Sequence, residues 1–396
     1  MKIDFTTAIR SLLLLLIGFV AASASAQTLE IDGMTFEMRD DGTCSLVKLN
    51  YDNITKFDVP ENVEYEGQKY TVTALGNDVC HFAWEIEKLS LPYTIERIGN
   101  DCFSECHIGE LVLHGAFPPR ATSWSFGDVL PDIQMTPPSY VYIGKIVVPK
   151  GTSEFYKWAP GWRHHYKYYG NIAVEESDES AKISNHEKRF VSHGWVAERI
   201  VRSGDKTESV RLLYPMTAGE ARPLTLPSTL ENNGKNWEVS ELGDESLVYS
   251  LYTELILPPT MRRIGDCPII YSSISRIRGI QTIEELGRSA AVGKALRRFE
   301  MPKAINQVSN GLFHFGGSPR GNFDRIELHE NVNYVANYSF FNVDVRNLVC
   351  YNPEPPVTEV QSFASDYELS AVLGTLHVPE GSVEAYKEAP GWREFK

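Results

Sequence analysis

The sixteen residues VPKGTSEFYKWAPGWR, Val148 to Arg163, recur almost unchanged as VPEGSVEAYKEAPGWR from Val378 to Arg393. A near-copy of this length, 230 positions further along, predicts two related units that each end in the same segment. Within the segment a short β run ends at proline, one helical turn carries an apolar face, and Ala-Pro-Gly then stops the helix. We therefore expect a C-terminal helix and tryptophan cap on each unit, with Trp162 or Trp392 lying over its apolar end.

The two units also begin alike. LEIDGMTFEMRDDGTCSLVKL alternates apolar and polar residues around Asp40-Asp41-Gly42, and RFVSHGWVAERIVRSGDKTESVRLLYP does so around Gly204-Asp205, which predicts an N-terminal β-hairpin cap on each unit. The segment from Phe57 aligns with the segment from Leu224 at an offset of 167. Because the closing copies are offset by 230, the second unit holds 63 extra residues, close to three repeats of about 21.

The repeats are visible as apolar-x-apolar triplets, each of which predicts a short strand. Steps of 22 residues separate positions 89 and 111, 255 and 277, 277 and 299, and 326 and 348. An Ile/Leu-Gly pair accompanies most strands, and we expect its glycine to allow a tight corner. The triplets are Leu89-Ser90-Leu91, Leu111-Val112-Leu113, Leu255-Ile256-Leu257, Phe299-Glu300-Met301, Ile326-Glu327-Leu328 and Leu348-Val349-Cys350, with Ile146-Val147-Val148 and Leu376-His377-Val378 closing the units.

A 22-residue coil with one three-residue strand is too small to bury its own apolar side chains, so neighbouring coils must bury them by stacking. The strands are then expected to form a parallel ladder along one face, with turns and short helices on the other. The predicted fold class is an α/β repeat solenoid of two tandem units.

EIEKLSLPYTIERIGNDCFSEC and YTELILPPTMRRIGDCP share one pattern: apolar, two polar, apolar-x-apolar-Pro, then Ile-Gly. This pattern resembles the BspA-like leucine-rich repeats of surface proteins from anaerobic bacteria, and the EYEGQKYTVTALG and PEGSVEAYKEAPGWREF segments resemble the entry and exit segments of such proteins. The resemblance covers Leu29 to Val174 and Phe190 to Lys396. GIQTIEELGRSAAVGKAL and the region around MTPPSY depart from it. The resemblance implies a leucine-rich-repeat solenoid and a role in adhesion.

The N-terminus has the layout of a secretory signal peptide, with a basic start, an apolar run from Leu12 to Ala22 and the small residues Ala24-Ser25-Ala26. We therefore expect residues 1–26 to be removed and the product to be exported to the periplasm, the cell surface or the medium. No later apolar run has membrane-spanning length.

Four segments follow from these boundaries: a signal peptide (1–26), a first unit (27–174), a polar linker (175–189) and a longer second unit (190–396). The linker sequence EESDESAKISNHEK contains few large apolar residues, which favours two units joined flexibly. A continuous stack, with the second hairpin docked on the first cap, is the alternative.

Composition excludes some functions. The formal net charge of −14 argues against nucleic acid as a partner. The sequence contains no zinc-protease, serine-hydrolase or phosphate-loop motif, so we predict a protein that is not an enzyme and uses no cofactor or metal. Six cysteines are few for 396 residues. For Cys102 and Cys106 a buried structural role is favoured over a disulfide or a metal site.

The predicted binding site is a column on the outward strand face of the second unit, since alternate strand side chains face solvent. The column comprises Arg276, Arg278, Arg298, Glu300, Arg325 and Glu327. We expect Glu300 and Glu327 to bridge the stacked arginines. A self-paired charge ladder with no partner is the alternative interpretation.

Three functions remain open from sequence alone. The first is binding of another protein, from a host, a matrix or the bacterial envelope. The second is a glycan-binding accessory role that uses exposed aromatic residues such as Trp124, Trp158 or Tyr168. The third is a purely structural envelope module.

Overall fold

The computed structural model describes residues 27–52, 54–127, 141–163, 173–184, 187–202, 206–314, 321–363 and 372–395. The predicted signal peptide lies outside these residues, as do Tyr168 and the MTPPSY stretch.

The first unit is built from short strands and one short helix, α1 (Ser153–Trp158). Its strands are β1 (Thr28–Ile31), β2 (Met34–Met38), β3 (Thr43–Leu49), β4 (Lys56–Asp58), β5 (Asn62–Tyr65), β6 (Gln68–Leu75), β7 (Ile86–Leu91), β8 (Arg97–Ile98), β9 (His107–Leu113), β10 (Tyr142–Val148) and β11 (Ala173–Glu176).

The second unit continues in the same way and has one α-helix among the described residues, α2 (Val383–Glu388). Its strands are β12 (Arg189–Ser192), β13 (Trp195–Val201), β14 (Glu208–Pro215), β15 (Pro223–Thr225), β16 (Thr229–Asn232), β17 (Lys235–Leu242), β18 (Glu254–Ile256), β19 (Arg263–Ile264), β20 (Arg276–Arg278), β21 (Glu285–Leu286), β22 (Arg298–Glu300), β23 (Gln307–Val308), β24 (Gly321–Phe323), β25 (Arg325–Leu328), β26 (Tyr334–Val335), β27 (Val343–Cys350), β28 (Val357–Thr358) and β29 (Val372–His377).

The predicted triplets lie on neighbouring parallel strands. In the first unit the sheet order is β11-β10-β9-β7-β4, and Leu89 pairs with Leu111, which pairs with Ile146. In the second unit β15, β18 and β20 form one parallel ladder, and β22, β25, β27 and β29 form another, with β24 also beside β27. Each coil therefore buries its apolar triplet against the next, as the 22-residue period predicts.

The period continues from position 277 to position 299, but β20 and β22 belong to different sheets. Between them, Gly279 has a left-handed backbone with φ of 78° and Ile280–Thr282 form a 3-10 turn. This is the GIQTIEELG stretch that departs from the repeat pattern. The strand face of the second unit is consequently divided into two parallel ladders.

Short strands outside the triplets build a second set of ladders that the sequence did not predict, and the first of these ladders contains Ile/Leu-Gly pairs. β17, β19 and β21 pair in parallel, as do β23, β26 and β28. The glycines do not serve as corners. A Cβ on Gly99 would lie 2.5 Å from the carbonyl carbon of Gly76. A Cβ on Gly287 would lie 2.6 Å from the carbonyl carbon of Gly265. Glycine is needed there because successive coils approach too closely for any side chain.

An acidic or amide side chain follows several of these glycines and links one coil to the next. The Asn77 side chain accepts a hydrogen bond from the Asn100 amide at 3.0 Å, Asp244 accepts one from the Asp266 amide at 2.8 Å, and Asp266 accepts one from the Arg288 amide at 2.9 Å. Backbone donors that have no partner inside their own short coil are satisfied in this way.

Antiparallel strands and buried tryptophans lie at the segments that the sequence singles out, and their role as caps of two units stays a prediction. The antiparallel strands β1, β2 and β3 open the first unit, and β12, β13 and β14 open the second. After each short helix, the indole nitrogens of Trp162 and Trp392 donate to the carbonyls of Pro119 and Pro356, at 2.8 and 2.7 Å. Both tryptophans are buried over the apolar end of their unit.

The linker residues that the structure describes form backbone hydrogen bonds with the first unit. Strand β11 extends the first unit's sheet through parallel pairing with β10. Further along, the Lys182 carbonyl accepts from the Ala116 amide at 2.9 Å, and Lys182 donates to the His114 carbonyl at 3.3 Å. Low apolar content therefore did not prevent this segment from packing, because its backbone groups complete the ladder. The boundaries of the four segments stay a prediction.

The second hairpin packs on the end of the first unit. Val196 and Tyr214 belong to the hydrophobic core that also contains Trp162 and Phe126. Other side chains of the hairpin, such as Trp195, belong to a separate core that runs through the second unit. The arrangement corresponds to the continuous stack that the sequence left as the alternative. In class, the molecule has a leucine-rich-repeat fold made mostly of strands with very few helices.

Candidate interaction face

The strand face of the first unit carries an internally paired charge ladder. Glu110 lies between Lys88, at 2.9 Å, and Lys145, at 2.8 Å, and Lys145 also reaches Glu175 at 3.6 Å. Its hydrogen bonds to Lys145 and Lys88 lower the pKa of Glu110. Because the cations and carboxylates alternate along this face, few charges are left over for a partner.

The predicted arginines begin on the first ladder of the second unit. Arg276 and Arg278 flank Ile277 on β20, and their side chains are 67% and 54% exposed. Both turn toward one carboxylate, Glu254 on β18, whose oxygen lies 2.5 Å from Arg278 Nε and 3.6 Å from Arg276 Nε. The sequence missed this role of Glu254. Its position opposite Arg276 in the register of parallel strands was the available signal.

The other predicted residues lie on the second ladder. Arg298 pairs in register with Arg325, and Glu300 with Glu327. Glu327 holds Arg325 of its own strand at 2.7 Å and accepts a second bond at 2.7 Å from the Tyr351 hydroxyl. The Arg325 bond lowers the pKa of Glu327.

The expected bridging of the arginine column is therefore wrong in one respect. Glu327 pairs within its strand instead of across strands, and the column is split between the two ladders, so Arg276 and Arg278 rely on Glu254. The six predicted residues all lie on the strand face, in two groups: Arg276 with Arg278, and Arg298, Glu300, Arg325 and Glu327. Whether they bind a partner stays a prediction.

A buried polar cluster joins the two units. Glu245, at 4% exposure, accepts hydrogen bonds from the Ser123 amide at 3.0 Å and the Ser123 hydroxyl at 2.7 Å. The Glu245 carbonyl accepts from the guanidinium of Arg163. Burial raises the pKa of Glu245, although its bonds to Ser123 oppose the shift. Arg120 and Glu198 add an ion pair across the same junction at 3.2 Å.

Two cavities flank this cluster. One, of about 370 Å³, is lined by the exposed Trp124 together with Asp266, Arg288 and His314. The other, of about 390 Å³, lies beside Trp158 and Arg163. Two of the three aromatic residues suggested for glycan binding thus line junction cavities, and the third, Tyr168, lies outside the described residues.

All six cysteines are free thiols, and Cys102 and Cys106 are fully buried, as a structural role in the repeat predicts. Burial raises the pKa of Cys267 to about 12. Over the described ranges, no three histidine, cysteine or acidic side chains are arranged to hold a metal ion. No helix in the described part of the chain is both long enough and apolar enough to cross a membrane.

Coils of about 22 residues, each contributing one short strand to a parallel ladder, define a leucine-rich-repeat protein. Comparison with known families gives the type. The family described as BspA type Leucine rich repeat region matches six copies, within residues 73–118 and 240–367. The chain thus contains BspA-type leucine-rich repeats, in both predicted units. Among curated protein sequences, none is significantly similar to this chain.

Solved structures similar to the chain include the following three. The first is a leucine rich cell surface protein from Faecalibacterium prausnitzii A2-165, with 18% identity, a TM-score of 0.32 and coverage of 82% of this chain and 95% of that one. The second is the pneumococcal vaccine antigen PcpA, with 12% identity, a TM-score of 0.38 and coverage of 92% and 96%. The third is a leucine-rich repeat protein from Bacteroides ovatus ATCC 8483, with 13% identity, a TM-score of 0.27 and coverage of 89% and 79%.

Proposed function

We propose that this is a non-enzymatic, exported protein that binds another protein through the strand face of its second unit. In this proposal residues 1–26 direct export, and the mature chain acts at the cell surface, in the periplasm or in the medium. It acts as two tandem repeat units, each closed by a β-hairpin and by a helix with its tryptophan. The BspA-type repeats support a role in surface interactions.

One observation carries the proposal: Arg276 and Arg278 are well exposed and share the single carboxylate of Glu254. Two guanidinium groups present ten N–H donors, far more than one carboxylate can accept. The remaining donors face solvent on a rigid ladder. Arginine on such a surface suits bidentate pairing with carboxylates and is enriched at binding hot spots.

Charge distribution supports the same surface. The chain is acidic overall, yet this face carries the four arginines of the predicted site. The first unit's strand face is more evenly balanced, because Glu110 neutralises lysines on both sides. A partner with acidic side chains is therefore the chemistry that the second unit's face suits best.

The test is a charge reversal at two positions of the face. The double variant Arg276→Glu with Arg298→Glu should lose binding to a protein partner captured by residues 27–396, by at least about tenfold, because repulsion replaces attraction. Host-matrix and envelope proteins form the binding screen, and surface plasmon resonance gives the affinity. Arg393→Glu, which reverses an exposed charge away from the ladder, is the matched control. Undiminished binding by the double variant with an unchanged melting temperature would exclude this face.

Glycan binding is the second candidate function, and the exposed Trp124 in the 370 Å³ cavity favours it. Aromatic faces flanked by charged hydrogen-bonding groups form typical small-ligand sites. A glycan array run beside the protein screen separates the two functions. Glycan binding would be supported if the arginine double variant still binds a glycan and the Trp124→Ala variant does not.

A further inference from the structure

The second junction cavity, of about 390 Å³, has the size of a small-molecule site. It opens where α1 of the first unit meets the loop after β14 and the turn before β18. Its walls are mainly apolar and come from both units: Trp158, Pro215, Ala218, Leu247, Val248 and Tyr249. Pockets of this kind occur preferentially where two structural units meet.

Arg163 lines this cavity and is incompletely paired. Its Nη2 donates to the Glu245 carbonyl and its Nη1 lies 3.5 Å from the Ser246 carbonyl, while its buried Nε has no hydrogen-bond partner. In the described part of the chain no carboxylate forms a salt bridge with it. The carboxylate of Glu245 is instead hydrogen-bonded to Ser123.

A half-buried guanidinium without a carboxylate is costly, because its charge has lost part of its water and gained only neutral carbonyl partners. Burial lowers the pKa of Arg163 to about 10, which reflects this cost. The Ser250 hydroxyl, also buried in the lining, has no hydrogen-bond partner either. Both residues line one largely apolar cavity, and a ligand with a polar head and an apolar body suits such a lining.

The other copy of the same motif supplies a natural comparison. Arg393 occupies the equivalent position in VPEGSVEAYKEAPGWR, yet its side chain is 63% exposed and pairs with Glu394 at 3.3 Å. The same peptide therefore places its arginine in solvent where the chain ends and in a cavity where the units meet. The cavity is a product of the junction and not of the motif.

We propose that this cavity binds a small amphipathic carboxylate, with the carboxylate on the Arg163 guanidinium and an apolar or aromatic body between Trp158 and Ala218. Ser250 donates a further hydrogen bond to the head group. Lys157, which also lines the cavity, is paired with Glu154 at 2.5 Å. Arg163 is therefore the cation that distinguishes a carboxylate from a neutral ligand. The site is independent of the strand face and of any protein partner.

Titration calorimetry with a matched pair of probes tests the proposal. 3-Phenylpropionate should bind residues 27–396 at least about tenfold more tightly than the neutral 3-phenylpropionamide, because only the acid pairs with the guanidinium. Arg163→Gln should remove that difference, whereas Arg393→Gln should leave it within about twofold. Equal binding of the two probes by the unaltered protein, or no binding of either at about 10 mM, would overturn the proposal.

A second variant covers the possibility that Arg163→Gln fails to fold, since Arg163 also joins the units. Ala218→Phe places a ring inside the cavity and leaves Arg163 in place, so it should abolish binding of the acid. Ala385→Phe on the exposed side of α2 is its control. If Ala218→Phe binds the acid as tightly as the unaltered protein while keeping its melting temperature, the ligand lies elsewhere and the assignment is wrong.

Discussion

Single glycines decide how closely the coils stack. Gly76 and Gly99 occupy the same position in successive repeats, but their surroundings differ. A Cβ on Gly76 would meet its nearest atoms at 3.4 Å, an ordinary contact, whereas one on Gly99 would lie 2.5 Å from the Gly76 backbone. Neither glycine is among those with positive φ. The difference between them is therefore one of space alone.

We expect Gly99→Ala to destabilise the protein by about 1–3 kcal/mol, because backbone must shift to admit the methyl group. Gly76→Ala should change the free energy of unfolding by less than about 1 kcal/mol, and its lower unfolded-state entropy favours a gain. Urea denaturation of both variants measures the two values. Equal losses at the two positions would contradict the stacking explanation and restore the corner predicted from sequence.

At this scale the sequence predicted where residues lie better than what they contact. The arginines of the strand face were found because strand side chains alternate, and all six predicted residues lie on that face. Arg163 was not singled out, because the APGWR sequence that ends at it is repeated exactly in the copy that ends at Arg393. Only the packing of one unit on the other makes the two arginines different.

Among the elements, the closing segment around Trp392 packs as an aromatic cluster. Trp392 packs edge-on against Phe363, at 5.0 Å between ring centroids, and against Tyr386 at 5.2 Å. Its indole donates to the Pro356 carbonyl. This cluster covers the apolar end that the last coil would otherwise expose.

Removal of this cover should act locally, because each coil of a repeat stack contacts only its neighbours. Trp392→Ala is expected to cost about 3–5 kcal/mol in the last coils. Amide hydrogen exchange should therefore accelerate in β28 and β29 and stay unchanged in β7 and β9.

Trp84→Ala, at an exposed position of the first unit, is the control and should alter neither region. Acceleration spread evenly over both units in the Trp392→Ala protein would show that the chain unfolds as one block, against the expectation.

Strand spacing was predictable and strand pairing was not. The 22-residue step from position 277 to position 299 is as regular as its neighbours, yet the ladder is interrupted there. Periodicity sets where a strand begins, whereas continuity depends on the turn between coils. The left-handed Gly279 and the 3-10 turn after it change the direction of the chain, and β20 and β22 do not pair.

At the scale of the whole molecule, the junction was the hardest feature to foresee. The linker composition favoured a flexible connection, but composition does not report backbone pairing, and β11 and Lys182 are held by backbone hydrogen bonds. The buried Glu245 is likewise invisible in sequence, since it occupies an ordinary repeat position.

Glu245 makes the stability of the junction depend on pH. Burial raises its pKa above the ordinary value of 4.5, so the folded chain binds this proton more tightly than the unfolded chain does. Its contribution is therefore fully present below that ordinary value and is lost as the pH rises through the raised pKa. Glu245→Gln cannot titrate. The free energy of unfolding of the unaltered protein, minus that of the variant, should fall as the pH rises above the ordinary value of 4.5.

Urea denaturation at several increasing pH values measures that difference, and Glu380→Gln, at an exposed position, provides a control whose difference should stay constant. A difference for Glu245→Gln that is independent of pH, or that grows with pH, would mean that the carboxyl is ionised in the folded protein.

Three side-chain hydrogen bonds between coils run in one direction. The side chains of Asn77, Asp244 and Asp266 each receive the amide of the coil that follows, never of the coil before. In a chain that leaves a ribosome or an export channel with its N-terminus first, each of these acceptor side chains is therefore in place before the coil that donates to it. In the reverse order of growth these three amides would lack their acceptors until the preceding coil formed, so these contacts suit vectorial synthesis.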